Sequence, residues 1–79
     1  WENNFETIQL SPNPASDFLN INNSELVQSI EIYNILGKKI NIQELISNRL
    51  NISNLDAGLY FIRIQETTGK VFSGQFLKN

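Results

Sequence analysis

The chain contains no His and no Cys, which removes most of the side chains through which small proteins do chemistry. A Ser nucleophile needs a neighbouring base. Without His only a Ser–Lys pair is conceivable, and nothing in the spacing places one. Zinc wants imidazole or thiolate ligands. Calcium wants clustered carboxylates, whereas the eight acids here are scattered. Asp17 with Asn20 and Asn22 is the nearest grouping, and ordinary turn chemistry is its expected role. Spacing alone leaves a glycosidase-type carboxylate pair open. A chain of 79 residues, however, leaves little room for a substrate cleft of roughly 300 Å³ or more. No Gly-rich loop is present to cradle phosphate. Asn22-Asn23-Ser24 and Asn51-Ile52-Ser53 match the glycosylation sequon, as an Asn-rich chain does by chance. Trp1, Tyr33 and Phe61 could form a sugar-stacking platform. Core packing or scattered exposure is the simpler expectation for three aromatics. The expectation is a non-enzyme, with no catalytic residues, no metal and no cofactor.

Composition narrows the partners. The net charge is −2 and the isoelectric point about 4.9, against the clustered basic face that nucleic acid requires. Lys38-Lys39 is the only adjacent basic pair. No run of about 18 apolar residues exists, so no membrane insertion is expected. The length makes one domain with a thin stability margin. Eleven Ile and five Phe, with Leu and Val, must supply the core. Trp1-Glu2-Asn3-Asn4 reads as the remnant of a linker, and residues 5–79 as the domain.

The elements that must position these side chains read as strands. The most informative stretch is Leu55-Asp56-Ala57-Gly58 followed by Leu59 to Gln65. Asp56-Ala57-Gly58 turns the backbone, with Gly58 free to take a positive φ. Tyr60, Ile62 and Ile64 then share one face. Leu59 and Phe61 share the other, which turns polar at Arg63 and Gln65. A strand apolar on both faces at its start belongs near the middle of a sheet. Tyr60, entering a strand just after a corner, is similar to the tyrosine corner, in which a buried ring sends its hydroxyl back to the upstream backbone. The alternative is a plain core aromatic. Leu55 is placed to pack beneath the turn.

Taken in order, Phe5 to Leu10 is a first strand with Ile8 and Leu10 inward. Pro12 and Pro14, flanking Asn13, remove two backbone donors and hold the chain extended, so this segment is a rigid crossing between strands or a sheet edge. Phe18 to Asn22 is the second strand, with Leu19 and Ile21 inward, and Asn22 to Glu25 a loop. Val27 to Tyr33 is the third. Asn34-Ile35-Leu36-Gly37 fits a type I turn with Gly37 left-handed. Ile35 and Leu36 either fold over the open end of the core, the favoured expectation, or stand out as an apolar contact for a partner. Lys38 to Gln43 is the fourth strand, with Ile40 and Ile42 inward. Glu44 to Asn48 is a connection with room for one helical turn. Arg49 to Ile52 is the fifth strand. Glu66 to Lys70 is a hairpin turn with Gly69 at positive φ, and Val71 to Lys78 the last strand. Both faces of that strand are partly apolar, so its inward face stays open, and Gly74 marks a bulge or a close approach. Being last, the strand is expected to lie at an edge or to detach cheaply, as a handle for another protein. About seven short strands with turns between them and no helical periodicity predict an all-β antiparallel sandwich.

Several segments together carry a resemblance. They are Leu10-Ser11-Pro12-Asn13-Pro14-Ala15; Leu19-x-Ile21; Ile30-x-Ile32-Tyr33-Asn34-x-x-Gly37-Lys38-x-Ile40; Leu55-x-x-Gly58-x-Tyr60-x-Ile62-x-Ile64; Gly69-Lys70; and Phe76-Leu77-Lys78. In this order and at these separations the series resembles the type A C-terminal sorting domain of the type IX (Por) secretion system of Bacteroidetes, from about Leu10 to Asn79. The resemblance implies an immunoglobulin-like sandwich attached to an upstream passenger domain. It implies recognition by the outer-membrane translocon after the passenger crosses the inner membrane by a separate signal. It also implies removal by a sortase, with delivery to the cell surface or medium by way of the periplasm and outer membrane. Gln75 stands where many members carry a basic residue, leaving Lys70 and Lys78 as the nearby cations. The residues expected to face the partner are Lys70, Phe76, Leu77, Lys78 and Asn79. Pro12, Asn13, Pro14, Gly37, Gly58, Tyr60 and Gly69 are expected to hold the frame. The rival reading is an immunoglobulin-like accessory module gripping polysaccharide beside an extracellular enzyme, through Tyr33 or Phe61.

Overall fold

The computed structural model describes the backbone of residues 5–7, 10–22, 24–40 and 45–79, and the side chains of residues 10–22, 25–40 and 45–79. Trp1 to Asn4, Ile8 and Ile42 lie outside the described residues. The described chain forms β1 (Phe5–Thr7), β2 (Phe18–Asn20), a 3-10 turn (Ser24–Leu26), β3 (Val27–Asn34), β4 (Lys39–Ile40), β5 (Leu45–Ile46), β6 (Arg49–Asn51), β7 (Gly58–Glu66) and β8 (Val71–Lys78). Among the described residues they make two sheets, β1-β8-β7-β3-β4 and β2-β6-β5.

Alternation along the strands explains how the sheets meet. In β7, Tyr60, Ile62 and Ile64 are buried while Leu59, Phe61, Arg63 and Gln65 face outward. Ile32 of β3 and Phe76 of β8 join the buried row from the same sheet, and Leu19 and Leu50 come from the smaller sheet to meet them. One apolar cluster drawn from both sheets defines the immunoglobulin-like β-sandwich.

The segment between Leu10 and Ser16 crosses from one sheet to the other. Ser11 bridges Asn20 of β2, whereas Ala15 bridges Lys78 of β8. Both intervening X–Pro bonds, Ser11-Pro12 and Asn13-Pro14, are cis. Leu10 and Ala15 are buried at the two ends of the crossing, and Pro12, Asn13 and Pro14 are exposed between them.

Four expectations change. The connection with room for one helical turn holds a strand instead: Leu45–Ile46 pairs with β6. Ser47 and Asn48 join the two with φ of 51° and 66°. Positive φ at both central residues is what a two-residue hairpin of the primed type requires, and Asn tolerates it. The expected loop before β3 closes as a 3-10 turn. The last strand is not at an edge. β8 lies between β7 and, over Val71 to Ser73, a parallel β1. Over its final residues the proline crossing takes the place of β1. Ala15 N donates to Leu77 O at 2.7 Å, Asn79 N to Ala15 O at 2.8 Å, and Leu77 N to Asn13 Oδ1 at 3.0 Å. The β7–β8 register runs unbroken from Gly58↔Lys78 to Gln65↔Val71, so Gly74, opposite Ile62, is no bulge. Phe72, Phe76 and Lys78 lie on the inward face.

Candidate functional site

The site is a surface at one end of the sandwich, and three local devices build it. The first is the corner before β7. Leu55 packs against the core, its amide donating to Ile52 O. Gly58 takes a positive φ of 149°. Tyr60 enters the core, sends its hydroxyl back to Asp56 O at 2.7 Å and stacks on Phe76 with ring centroids 5.5 Å apart. The tyrosine corner is therefore present, and it holds Gly58 and Leu59 beside the end of β8.

The second device is the β3–β4 turn. Gly37 N donates to Asn34 O at 2.9 Å and Gly37 has φ of 81°. Asn34 Oδ1 accepts from both Leu36 N, at 2.9 Å, and Lys38 N, at 3.0 Å. The turn is thus tied at several points, yet it does not cover the core: Ile35 is 68% and Leu36 87% exposed. The expected cap over the core is replaced by the alternative, an outward pair of aliphatics. The reason is that Asn34 spends its side chain bracing the turn, and the antiparallel β3–β4 pairing puts the loop past the strand ends. Asn34→Ala should lower stability by about 0.5–2 kcal/mol through loss of a doubly used acceptor. Faster hydrogen exchange at the Leu36 and Lys38 amides, with a lower thermal midpoint, would register it.

The third device is the proline crossing, which fixes the end of β8. Its partners bring Asn13, Pro14 and Ser16 beside Leu77 and Asn79, where Asn79 Nδ2 donates to Ser16 Oγ at 3.1 Å.

Between these devices lies the outer face of the large sheet. Leu59 sits opposite Leu77, and Tyr33 opposite Phe61. Directly paired side chains on one face are about 4.5–5.5 Å apart at Cβ, so these four make one apolar stripe. Leu59, Phe61 and Leu77 are exposed, and Ile35 and Leu36 continue beyond the strand that carries Tyr33. Glu31 closes the stripe on the far side, with Lys39 Nζ at 3.5 Å and Arg63 Nη1 at 3.9 Å. These solvent-facing pairs contribute little to stability.

The expected partner-facing residues divide. Leu77 and Asn79 are exposed at this end. Phe76 is wholly buried, and Lys78 nearly so, its Nζ donating to the backbone oxygen of Asn79 at 3.1 Å. Lys70 lies at the opposite end of β8, in the Glu66–Lys70 hairpin, where Glu66 N donates to Lys70 O at 2.9 Å and Gly69 has φ of 95°. Leu36, offered with Ile35 as the alternative partner contact, belongs to the exposed surface, and so does Leu59, which the sequence did not single out. Their signal was apolar residues in a turn and on a strand's polar-tending face. Tyr33 and Phe61 are brought together as cross-strand neighbours, and Trp1 lies outside the described residues. For the Asp17, Asn20 and Asn22 grouping, the Asp17 backbone oxygen accepts from Ile52 N at 2.9 Å, and Asn20 Nδ2 donates to Ser11 Oγ at 3.5 Å. An open groove of about 740 Å³ does exist, on the outer face of the small sheet. It is larger than the cleft such a thin sandwich was expected to allow, because it lies on the surface and not in the core.

The described residues thus form an immunoglobulin-like sandwich with a braced apolar end. Comparison with known proteins gives its family: residues 9–78 match the secretion system C-terminal sorting domain, the sorting domain of the type IX system, and the chain belongs to that family. Beta-agarase D of Zobellia galactanivorans is 34% identical over 65 residues, 82% of this chain. The match covers only 13% of that relative's length. The chain is a sorting signal for secretion to the cell surface or medium.

Proposed function

We propose that the type IX outer-membrane translocon docks on this end of the folded sandwich, reading Leu59, Leu77 and Asn79 directly, and that a sortase then removes the domain from its upstream passenger. In this reading Phe76 and Lys78 act by holding the end of β8 in place, and Lys70 forms a separate, secondary contact. One observation carries it. The segments Ser11 to Ala15, Asn34 to Gly37, Gly58-Leu59 and Leu77-Lys78, far apart in the chain, converge on a single end. An exposed apolar surface held by this many backbone ties is pre-organised, and binding to it costs little ordering entropy. The matched relative is a beta-agarase of which the matching segment is a small part, which supports an equally subordinate role here, beside a larger passenger.

The test fuses the chain behind a periplasmic reporter in a type IX-competent cell. Leu59→Ser with Leu77→Ser should bring reporter in the medium or on the surface down to background. The purified double variant should stay within roughly 1 kcal/mol of the parent, since both positions are at the surface. Undiminished export by a folded double variant would overturn the docking surface. Reporter arriving with the domain still attached would overturn the sortase step.

A further inference from the structure

The groove on the small sheet has its own chemistry. It opens on the face of β2, β6 and β5 away from the core, since Leu19 and Leu50 of these strands point inward. Arg49 stands at its centre. Asn20 of β2 lies across from it on one side and Ile46 of β5 on the other. The guanidinium lies over Phe18, with Cζ 4.3 Å from the ring centroid. Stacking of this kind holds a long side chain in one geometry before any ligand arrives. A planar fork so held matches a carboxylate with two parallel hydrogen bonds.

The rest of the lining is not that of a simple anion site. Asp17 borders the groove beside Phe18, and a bare phosphate or sulfate would meet its negative charge. Ser47, Asn51 and Ser53 add short polar side chains, while Phe18 and Ile46 add apolar wall. Asn51 Oδ1 is engaged by Ser53 N at 2.9 Å and Ser53 Oγ at 2.7 Å, so the group Asn51 contributes is its amide donor. One cation, one carboxylate acceptor, several neutral hydrogen-bonding groups and an apolar wall fit a ligand that alternates hydroxyls, C–H faces and an acid group.

We propose that this groove binds a uronic-acid-containing oligosaccharide, with Arg49 taking the carboxylate and Asp17 and Asn51 the hydroxyls. The site lies on the opposite sheet from the docking end, and it stands or falls independently of export.

Titration of the labelled chain with tetragalacturonate, followed by two-dimensional NMR, tests it. Saturable shifts should be confined to residues 17–20 and 45–53. Arg49→Gln should weaken binding about tenfold or more, and Arg49→Lys by less, because the charge stays while the planar fork is lost. Maltotetraose, neutral and of equal length, should bind more weakly than tetragalacturonate. The absence of saturable shifts, or equal affinity in the folded Arg49→Gln variant, overturns the proposal. So does equal affinity for maltotetraose. Inorganic phosphate filling the groove at the same concentration as tetragalacturonate would reduce it to an anion site, which also overturns it.

Discussion

Tyr60→Ala should remove most of the domain's stability at ambient temperature. The ring is buried, stacks on Phe76 at an interplanar angle of 17°, and ties Asp56 through its hydroxyl. Truncating a buried aromatic costs about 3–5 kcal/mol through lost transfer energy and the cavity left behind. A domain this short sits toward the low end of the usual 5–15 kcal/mol range, roughly, so that loss removes most of its margin. The corner adds to the damage, because Gly58 and Leu59 lose the anchor that holds them beside β8. Tyr60→Phe separates the two contributions. It keeps the ring and removes only the bond to Asp56 O, a cost of about 0.5–1.5 kcal/mol. In a chain of this length that lowers the thermal midpoint by about 4–8 °C per kcal/mol. Circular dichroism melts of the three proteins check the order. A Tyr60→Ala melt within a few degrees of the parent would contradict the buried corner.

Phe76→Ala has a comparable effect, about 3–5 kcal/mol by the same mechanism. Phe76 is among the largest fully buried side chains and lies opposite Tyr60 on β8. Because the two rings touch, their losses do not add. A double-mutant cycle should give a coupling of about 0.5–1.5 kcal/mol, the usual worth of an aromatic pair beyond its buried area. Export of a Phe76→Ala fusion should therefore fail in parallel with its melt, whereas the surface changes at Leu59 and Leu77 fail with the fold intact. A Phe76→Ala domain that melts like the parent yet is not exported would place the ring in direct contact with the translocon.

Much of the fold was legible because its signals are short-range. The alternation of Tyr60, Ile62 and Ile64, the left-handed glycines at Gly37 and Gly69, and the two prolines each constrain a few neighbouring residues. The corner at Tyr60 was legible for the same reason: donor and acceptor are four residues apart. Ser47-Asn48 was missed because its turn carries no Gly, and Leu45-Ile46 is too short to show a period. The inward face of β8 was undecidable by parity, since Phe72 and Phe76 compete with Val71 and Leu77. Only the register with β7, which sets Phe76 against Tyr60, resolves it.

The longer strands, the glycine-bearing turns, the buried face of β7 and membership of the sorting-domain family were all contained in the order of residues, because each rests on local backbone preference or on a linear motif. The tertiary structure alone decided that β8 is an interior strand, that Ile35 and Leu36 stand in solvent, and that Arg49 lies over Phe18 in an open groove. These depend on contacts between segments distant in sequence, such as Asn13 and Leu77, separated by 64 positions. No local pattern encodes which distant segment will satisfy a strand's free backbone groups. That choice is made by the packing of the whole chain around one small core.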